Sequence, residues 1–476
     1  MNKIIKVVFF LSIISISGFL LSGCTTSEEK VSEYNKQISE VDVLIESMEY
    51  NLALEKLSKT SELIPSRIDA YQRIVDIFIT KNRLEDATKI LDESATKLED
   101  SDRGSLYVDI GNAYYLLKDF DKALYNYQIG KGFDSSNTVA SLGIAKVYIQ
   151  KGNIEGAKKL LDSKYEGDEY IESQLLLSYL YSLNSVESAI DAIKDVEPGD
   201  DWRGKYTDWS KLLEGLTDDE LFNSAKLGKV YMDEGYPYLS IAILEPNKDK
   251  MLEYMDGIYI LGKAYYEQGE YQKSIDLLED GVFVSNLNQY VYWVLARDYY
   301  MLDDLETSFS YYETALSYGG DYAEQDLYME YLDFLFEENQ TEKALEVMRR
   351  AERIFDRDWV KLYYMELYTL RKDFEKFEYH MESVDYSKLE NELKSDYLYV
   401  KGDYFIQNNQ LDDAKRTLDL FWELDPYDAR YNLLVAELSF QEGNLDDSRI
   451  YSKKAIEYDT EREVTEQALK LLAQID

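Results

Sequence analysis

Apolar residues along this chain fall three and four apart, the spacing that lines one face of a helix, and the whole pattern then repeats. The repeat is plainest between Met255 and Gly320. There Leu261-Gly262-Lys263-Ala264-Tyr265 returns 34 residues later as Leu295-Ala296-Arg297-Asp298-Tyr299, and Ser274, Leu278 and Gly281 return as Ser308, Tyr312 and Ala315. The same place in other units holds Ala53, Ala87, Ala123, Ala157, Ala189, Ser240, Ala344, Phe377, Ala414 and Ser448. Spacings run from 32 to 37 residues, apart from one of 51 between Ala189 and Ser240. A period near 34 predicts a helix-turn-helix unit. Such a unit cannot bury its apolar face alone, so units stack into a solenoid.

Residue types within the unit have packing reasons. A small residue stands midway along each first helix, where the second crosses: Gly111, Ala145, Gly228, Gly262, Ala296, Gly402 and Ala436. Three positions on, Tyr114, Tyr148, Tyr231, Tyr265, Tyr299 and Phe405 fill the space beside it. Gly152, Gly235, Gly269, Asn409 and Gly443 stand at the turn, where positive φ is needed. Leu424-Asp425-Pro426-Tyr427-Asp428-Ala429 suits a connector, with Pro426 closing a helix as Pro65 does earlier. Together these features resemble the tetratricopeptide repeat family across nearly all of residues 34–460. The resemblance implies an all-α, right-handed superhelical solenoid of about twelve repeats that binds peptides along the face formed by first helices. Val41, Val75, Leu177, Leu332 and Met365 depart from the small-residue rule, and Phe377 does so in the second helix, which predicts helices further apart or differently tilted there.

The ends add an address. Lys3 and Lys6, an apolar run from Val7 to Leu21, and then Leu21-Ser22-Gly23-Cys24 resemble a bacterial lipoprotein signal peptide. That resemblance implies removal of residues 1–23, a lipid on Cys24, and residence on the extracytoplasmic face of a bacterial membrane. Residues 24–33 are polar and predict a tether. The array divides into 34–196 and 221–460 around an irregular linker at 197–220, with one helix expected near Lys205 to Gly215. Residues 461–476 predict a capping helix, with Val464, Ala468, Leu471, Leu472 and Ile475 on one face.

Composition narrows the partner class. Lys and Arg number 52 against 93 Asp and Glu, a formal charge of -41, so nucleic acid and anionic headgroups are repelled. Cys24 is the only cysteine and His380 the only histidine, so no intrachain disulfide forms, and no serine motif or second histidine supports His380 as a base. No phosphate-cradling loop, GxSxG elbow, HExxH or calcium loop is present. The expectation is a non-enzymatic protein with no cofactor, no metal and no small-molecule requirement. Its 44 tyrosines lie mostly at core places of the repeat.

The ninth place of each unit faces the groove, and in three consecutive units it is basic: Lys229, Lys263 and Arg297. Tyr259, Tyr266, Trp293 and Tyr300 lie beside it by helical spacing. These seven residues form a candidate subsite for an acidic or carboxylate-ended segment, with internal pairing to neighbouring acids as the alternative. Further along, the same place is acidic at Asp333, Glu366, Asp403 and Glu437, which predicts a preference for basic segments. The leading expectation is a lipid-anchored scaffold for proteins or peptides at the cell envelope. The alternatives are an assembly factor for an envelope machine such as a pilus or secretion apparatus, and a glycan-associated spacer.

Overall fold

In the computed structural model, residues 28–475 are described, except 48, 82, 253, 285–288, 356 and 460–463. Cys24 and the segment 1–23 lie outside the described residues. Every regular element among the described residues is a helix. None of these helices is long and apolar enough to cross a membrane.

The described chain forms two compact units, one up to residue 77 with 96–98, the other comprising 78–95 and 99 onward. The first contains α1 (Glu28–Glu46), α2 (Tyr50–Leu63) and most of α3 (Ile68–Thr80). Helix α1 thus begins inside the stretch expected to be a tether. The buried Tyr34 hydroxyl on α1 accepts from the Ala70 amide at 3.1 Å, and Arg73 grips Asp42 through two bonds of 2.6 and 3.1 Å.

The second unit runs through α4 (Leu84–Glu93), α5 (Asp100–Leu116), α6 (Phe120–Phe133), α7 (Thr138–Gln150), α8 (Ile154–Leu161), α9 (Gly167–Ser182) and α10 (Val186–Ile193). It continues with α11 (Asp200–Glu214), α12 (Glu220–Asp233), α13 (Pro237–Leu244), the short α14 (Lys248–Met251), α15 (Met255–Glu267), α16 (Tyr271–Val284), α17 (Gln289–Met301) and α18 (Leu305–Gly319). Then come α19 (Gln325–Glu337), α20 (Thr341–Phe355), α21 (Asp358–Leu370), α22 (Phe374–Ser383), α23 (Asn391–Gln407), α24 (Leu411–Leu424), α25 (Ala429–Gln441), α26 (Leu445–Tyr458) and α27 (Thr465–Ile475).

Three devices hold consecutive helices together. First, the small residue of the first helix lets the second approach: a Cβ on Gly262 would lie 2.6 Å from a Leu278 methyl, and one on Gly228 would lie 2.8 Å from Leu244. Second, the serine of the second helix donates back across that crossing. Ser240, Ser274, Ser308 and Ser448 reach the carbonyls of Gly228, Gly262, Ala296 and Ala436 at 2.6, 3.0, 2.8 and 2.8 Å. A buried hydroxyl and a main-chain oxygen are satisfied together. Third, tyrosines of one unit donate to carboxylates on the second helix, or just after it, of the unit before. Tyr265 bonds Glu245 at 2.8 Å, Tyr299 bonds Glu279 at 2.7 Å, Tyr331 bonds Glu313 at 3.2 Å and Tyr404 bonds Glu378 at 3.2 Å. Each ring packs in the core while its hydroxyl finds a charged acceptor at the rim. Tyrosine and acid are therefore abundant together.

The turns follow the expected pattern, with φ of +75° at Gly152, +78° at Gly235 and +57° at Asn409. Lys118, Asp303, Asn339 and Lys372 hold the same left-handed conformation without being glycine. Phe377, in the place of a small residue, is fully buried and stacks on Tyr404 with centroids 3.7 Å apart.

The stretch 197–220 is more ordered than an irregular linker. Helix α11 spans fifteen residues of it and turns Tyr206, Trp209 and Leu213 inward. Trp209 donates to Ser178 at 2.8 Å, and the buried cluster around it runs from Leu142 to Leu239 without a break in the core. Spacing i, i+3, i+7 of those three residues gives α11 its apolar stripe. At the C-terminus Val464, just before α27, and Ala468 on it form one buried cluster with Leu433 and Ala455, and Leu471 is buried on the same helix. Asp459 accepts the amides of Val464 and Thr465 at 2.9 and 2.7 Å and so caps it.

Candidate ligand groove

The ninth-place residues lie on the first helices of successive units. On α12, Lys229 pairs with Asp233 one turn along at 2.7 Å, and its side chain is 66% exposed. On α15, Lys263 is half-buried and has no ion pair or hydrogen bond among the described residues. On α17, Arg297 is committed: its Nε donates to Glu330 Oε1 at 2.7 Å, a second guanidinium nitrogen binds Oε2, and the group lies 4.5 Å from the Trp293 ring centre. Glu330, on α19, also accepts Trp293 Nε1 at 2.7 Å and the Tyr312 hydroxyl at 2.6 Å. Burial opposes the Arg297 charge, but the Glu330 bonds and charge hold its pKa above the ordinary value. One carboxylate thus ties α17, α18 and α19 together.

The aromatics are shared out in the same manner. Tyr300 stacks on Phe334 at 3.9 Å and donates to Glu337 at 2.9 Å. Tyr259 packs beside Tyr290 with centroids 5.8 Å apart, and Tyr266 lies beside Tyr271 at 5.7 Å. Trp293 and Arg297 meet at Glu330, Tyr259 and Tyr266 lie within the field of Arg297, and Lys229 is paired with Asp233 instead.

The acidic continuation is the less neutralised stretch. Asp333 accepts the Tyr363 hydroxyl at 2.6 Å, and Asp403 accepts from Gln407 at 2.8 Å. Glu366 and Glu437 have no hydrogen-bond or ion-pair partner among the described residues. The Glu366 side chain on α21 is exposed, yet the protein around it strips water from its carboxylate. That desolvation, then repulsion from Asp333 and Asp396, pushes Glu366 up to about 7. Burial, then Asp403, pushes Glu437 up to about 7. Asp333 and Asp403 are raised too, chiefly by desolvation. Arg430, the nearby cation, is used by Asp396 at 2.7 Å and Asp428 at 3.0 Å.

Comparison with known proteins agrees with the repeat. No family model matches the chain. A TPR repeat-containing protein of Methanocaldococcus jannaschii is 25% identical over 293 residues, covering 58% of this chain and 49% of that protein. The chain thus spans about half the length of that relative. The chain folds as a tetratricopeptide-type solenoid. Solved structures similar to it include the APC/C hetero-tetramer Cut9-Hcn1, at 14% identity, TM-score 0.38, and 93% and 90% of the two chains. Yeast Tom70 is similar at 14% identity and TM-score 0.38, over 94% and 95%. Neither likeness bears on what this solenoid binds.

Within the tetratricopeptide array two groups stand outside the groove. His380 is stacked on Tyr364 at 4.3 Å, and burial lowers its pKa, so it is a packed ring with no carboxylate or nucleophile bonded to it among the described residues. Asp298, on α17, has its side chain fully buried with neither carboxyl oxygen hydrogen-bonded. The sequence does not mark Glu330, because its role depends on reaching back to the previous unit. Its one available signal was an acid on the first helix after the one bearing Arg297.

Proposed function

We propose that this protein is a non-enzymatic scaffold, anchored by a lipid on Cys24 to the outer side of a bacterial membrane, whose groove holds basic segments of other proteins. The tetratricopeptide-type array supports protein binding in general. The stripe Asp333, Glu366, Asp403 and Glu437 supports the choice of partner, and it is the observation on which the reading rests. Upstream in the groove, the cation Arg297 is already bonded to Glu330. Downstream, Glu366 lies in the field of Asp333 and Asp396, and Glu437 in that of Asp403. Lys or Arg side chains from a partner relieve that repulsion as they enter, so binding draws on energy already stored in the groove.

The test is titration of an immobilised Lys-rich peptide and its Glu-for-Lys counterpart against the chain and against Glu366→Gln plus Glu437→Gln. The Lys peptide binds the unaltered protein, weakens steeply with salt, and loses about tenfold in the double variant, as removal of a pair of partly screened charge contacts implies. Affinity should fall as pH drops from 8 to 6, because Glu366 and Glu437 take up protons around 7. Binding indifferent to salt and to both substitutions would refute the basic-partner reading. Anchoring is checked separately: the chain should partition with membranes and Cys24→Ser should not.

A further inference from the structure

The upstream groove is occupied by the chain itself. Taking units as above, Lys146 is the ninth residue of its unit, and Gln150 lies one helical turn on, along the same stripe of α7. Gln150 is 5% exposed, and its amide nitrogen donates to the Gly235 carbonyl at 2.7 Å and to the Tyr115 hydroxyl at 3.2 Å. Gly235 opens the turn between α12 and α13, with φ of +78°. The residues that follow the glycine continue the contact. Tyr236 is buried close to Tyr179, 6.4 Å between ring centroids, and within the fields of Tyr115 and Glu172 from α5 and α9. Pro237 then starts α13, and the Tyr238 ring lies over Gly152, where a Cβ would be 2.3 Å from it. Gly152 is therefore glycine for two reasons, its φ of +75° and the ring above it. A last bond joins the same regions further along: Lys118, after α5, to Glu267, at the end of α15, at 2.7 Å.

We propose that the turn Gly235-Tyr236-Pro237-Tyr238 is a built-in occupant of the groove face on α5, α7 and α9, an autoinhibitory contact that any outside ligand of that face must displace. This inference rests on the reading that first-helix faces bind peptides. The side chains that would meet a peptide there are engaged: Gln150 by Gly235, Tyr115 by Gln150, and Lys146 by Glu172 at 3.0 Å. The mode of engagement is also a peptide's, with a side-chain amide reading a main-chain carbonyl and aromatic rings packed on small residues. The contact spans the turn and the first residues of α13, and Tyr236 shares a buried cluster with Tyr179, Tyr231 and Leu239, so opening it exposes part of that core.

The test uses the full chain in detergent. Lys118→Glu plus Tyr238→Ala sets like charges at Glu267 and removes the ring over Gly152 while keeping Gln150, and Lys118→Glu plus Glu267→Lys restores the pair in reverse. Hydrogen exchange over residues 233–238 should quicken about tenfold in the first variant, the size expected for losing one ring contact and one exposed ion pair, and stay at the parental rate in the second. A synthetic peptide spanning residues 232–241 should bind the first variant at least tenfold more tightly than the parent or the charge-swapped chain. Unchanged exchange overturns the proposal, as does an opened variant that still ignores the peptide, which would make the contact a fixed joint. Binding of the Lys-rich peptide in all three proteins reports separately on the acidic groove, so the two readings fail independently.

Discussion

Asp298 offers the sharpest test of the energetics, because the structure buries a carboxyl group where other units place apolar groups. Its counterparts are Ala113, Val147, Val230, Ala264 and Leu438. Asp298 is 0% exposed and burial pushes its pKa up to about 8. The Ser274 hydroxyl nearby acts in the opposite sense, but its proton goes to the Gly262 carbonyl at 3.0 Å, which leaves both carboxyl oxygens unbonded. An unfolded Asp titrates near 3.9. Since the folded pKa is raised, the group's favourable contribution is complete below about pH 4 and is lost as pH climbs towards 8. At pH 7 the loss is about 4 kcal/mol, from roughly three pH units at about 1.4 kcal/mol each. Asp298→Ala removes that penalty and opens a small void costing about 1 kcal/mol. The variant should be more stable by about 3 kcal/mol at pH 7, and equal to or slightly below the parent at pH 4. Repeat arrays do not melt in one step, so the measurement is hydrogen exchange across α17 and α18 at a series of pH values. A difference between variant and parent that stays constant from pH 4 to 8 would refute the reasoning.

Three other outcomes follow from the packing. Gly262→Ala puts a Cβ 2.6 Å from a Leu278 methyl and should destabilise α15–α16 by about 1–3 kcal/mol, seen as faster exchange confined to those helices. Lys372→Gly relieves a left-handed residue at φ +54° and should raise the stability of α21–α22 by about 1 kcal/mol, whereas no gain in thermal or denaturant midpoint would contradict the strain argument. Burial and their Glu279 and Glu378 acceptors raise Tyr299 and Tyr404 to about 12, so the stability they contribute is intact below pH 10 and is lost between about 10 and 12. Phenolate absorbance should then rise together with unfolding in alkali; phenols titrating freely at pH 10 in the folded chain would count against the tyrosine–carboxylate bonds.

The period of 34, the glycine turns and the final amphipathic stretch are local signals, each needing only the chain's own spacing, and they determined the helical repeat and its cap. Gly262, Gly228 and Gly402 could be placed midway along first helices because a crossing helix excludes a side chain there whatever its sequence. The groove was legible only as a list of residues on one face. Whether a charge on that face is available depends on what reaches it from the next unit, and Glu330 sits 33 residues beyond Arg297. The same holds for the tyrosines, whose acceptors are carboxylates of neighbouring units, before or after, and for Gln150, whose partner Gly235 is 85 residues away. Periodicity follows from the backbone, which every unit shares. Pairing follows from the distances between units, and those exist only once the solenoid has closed on its own side chains.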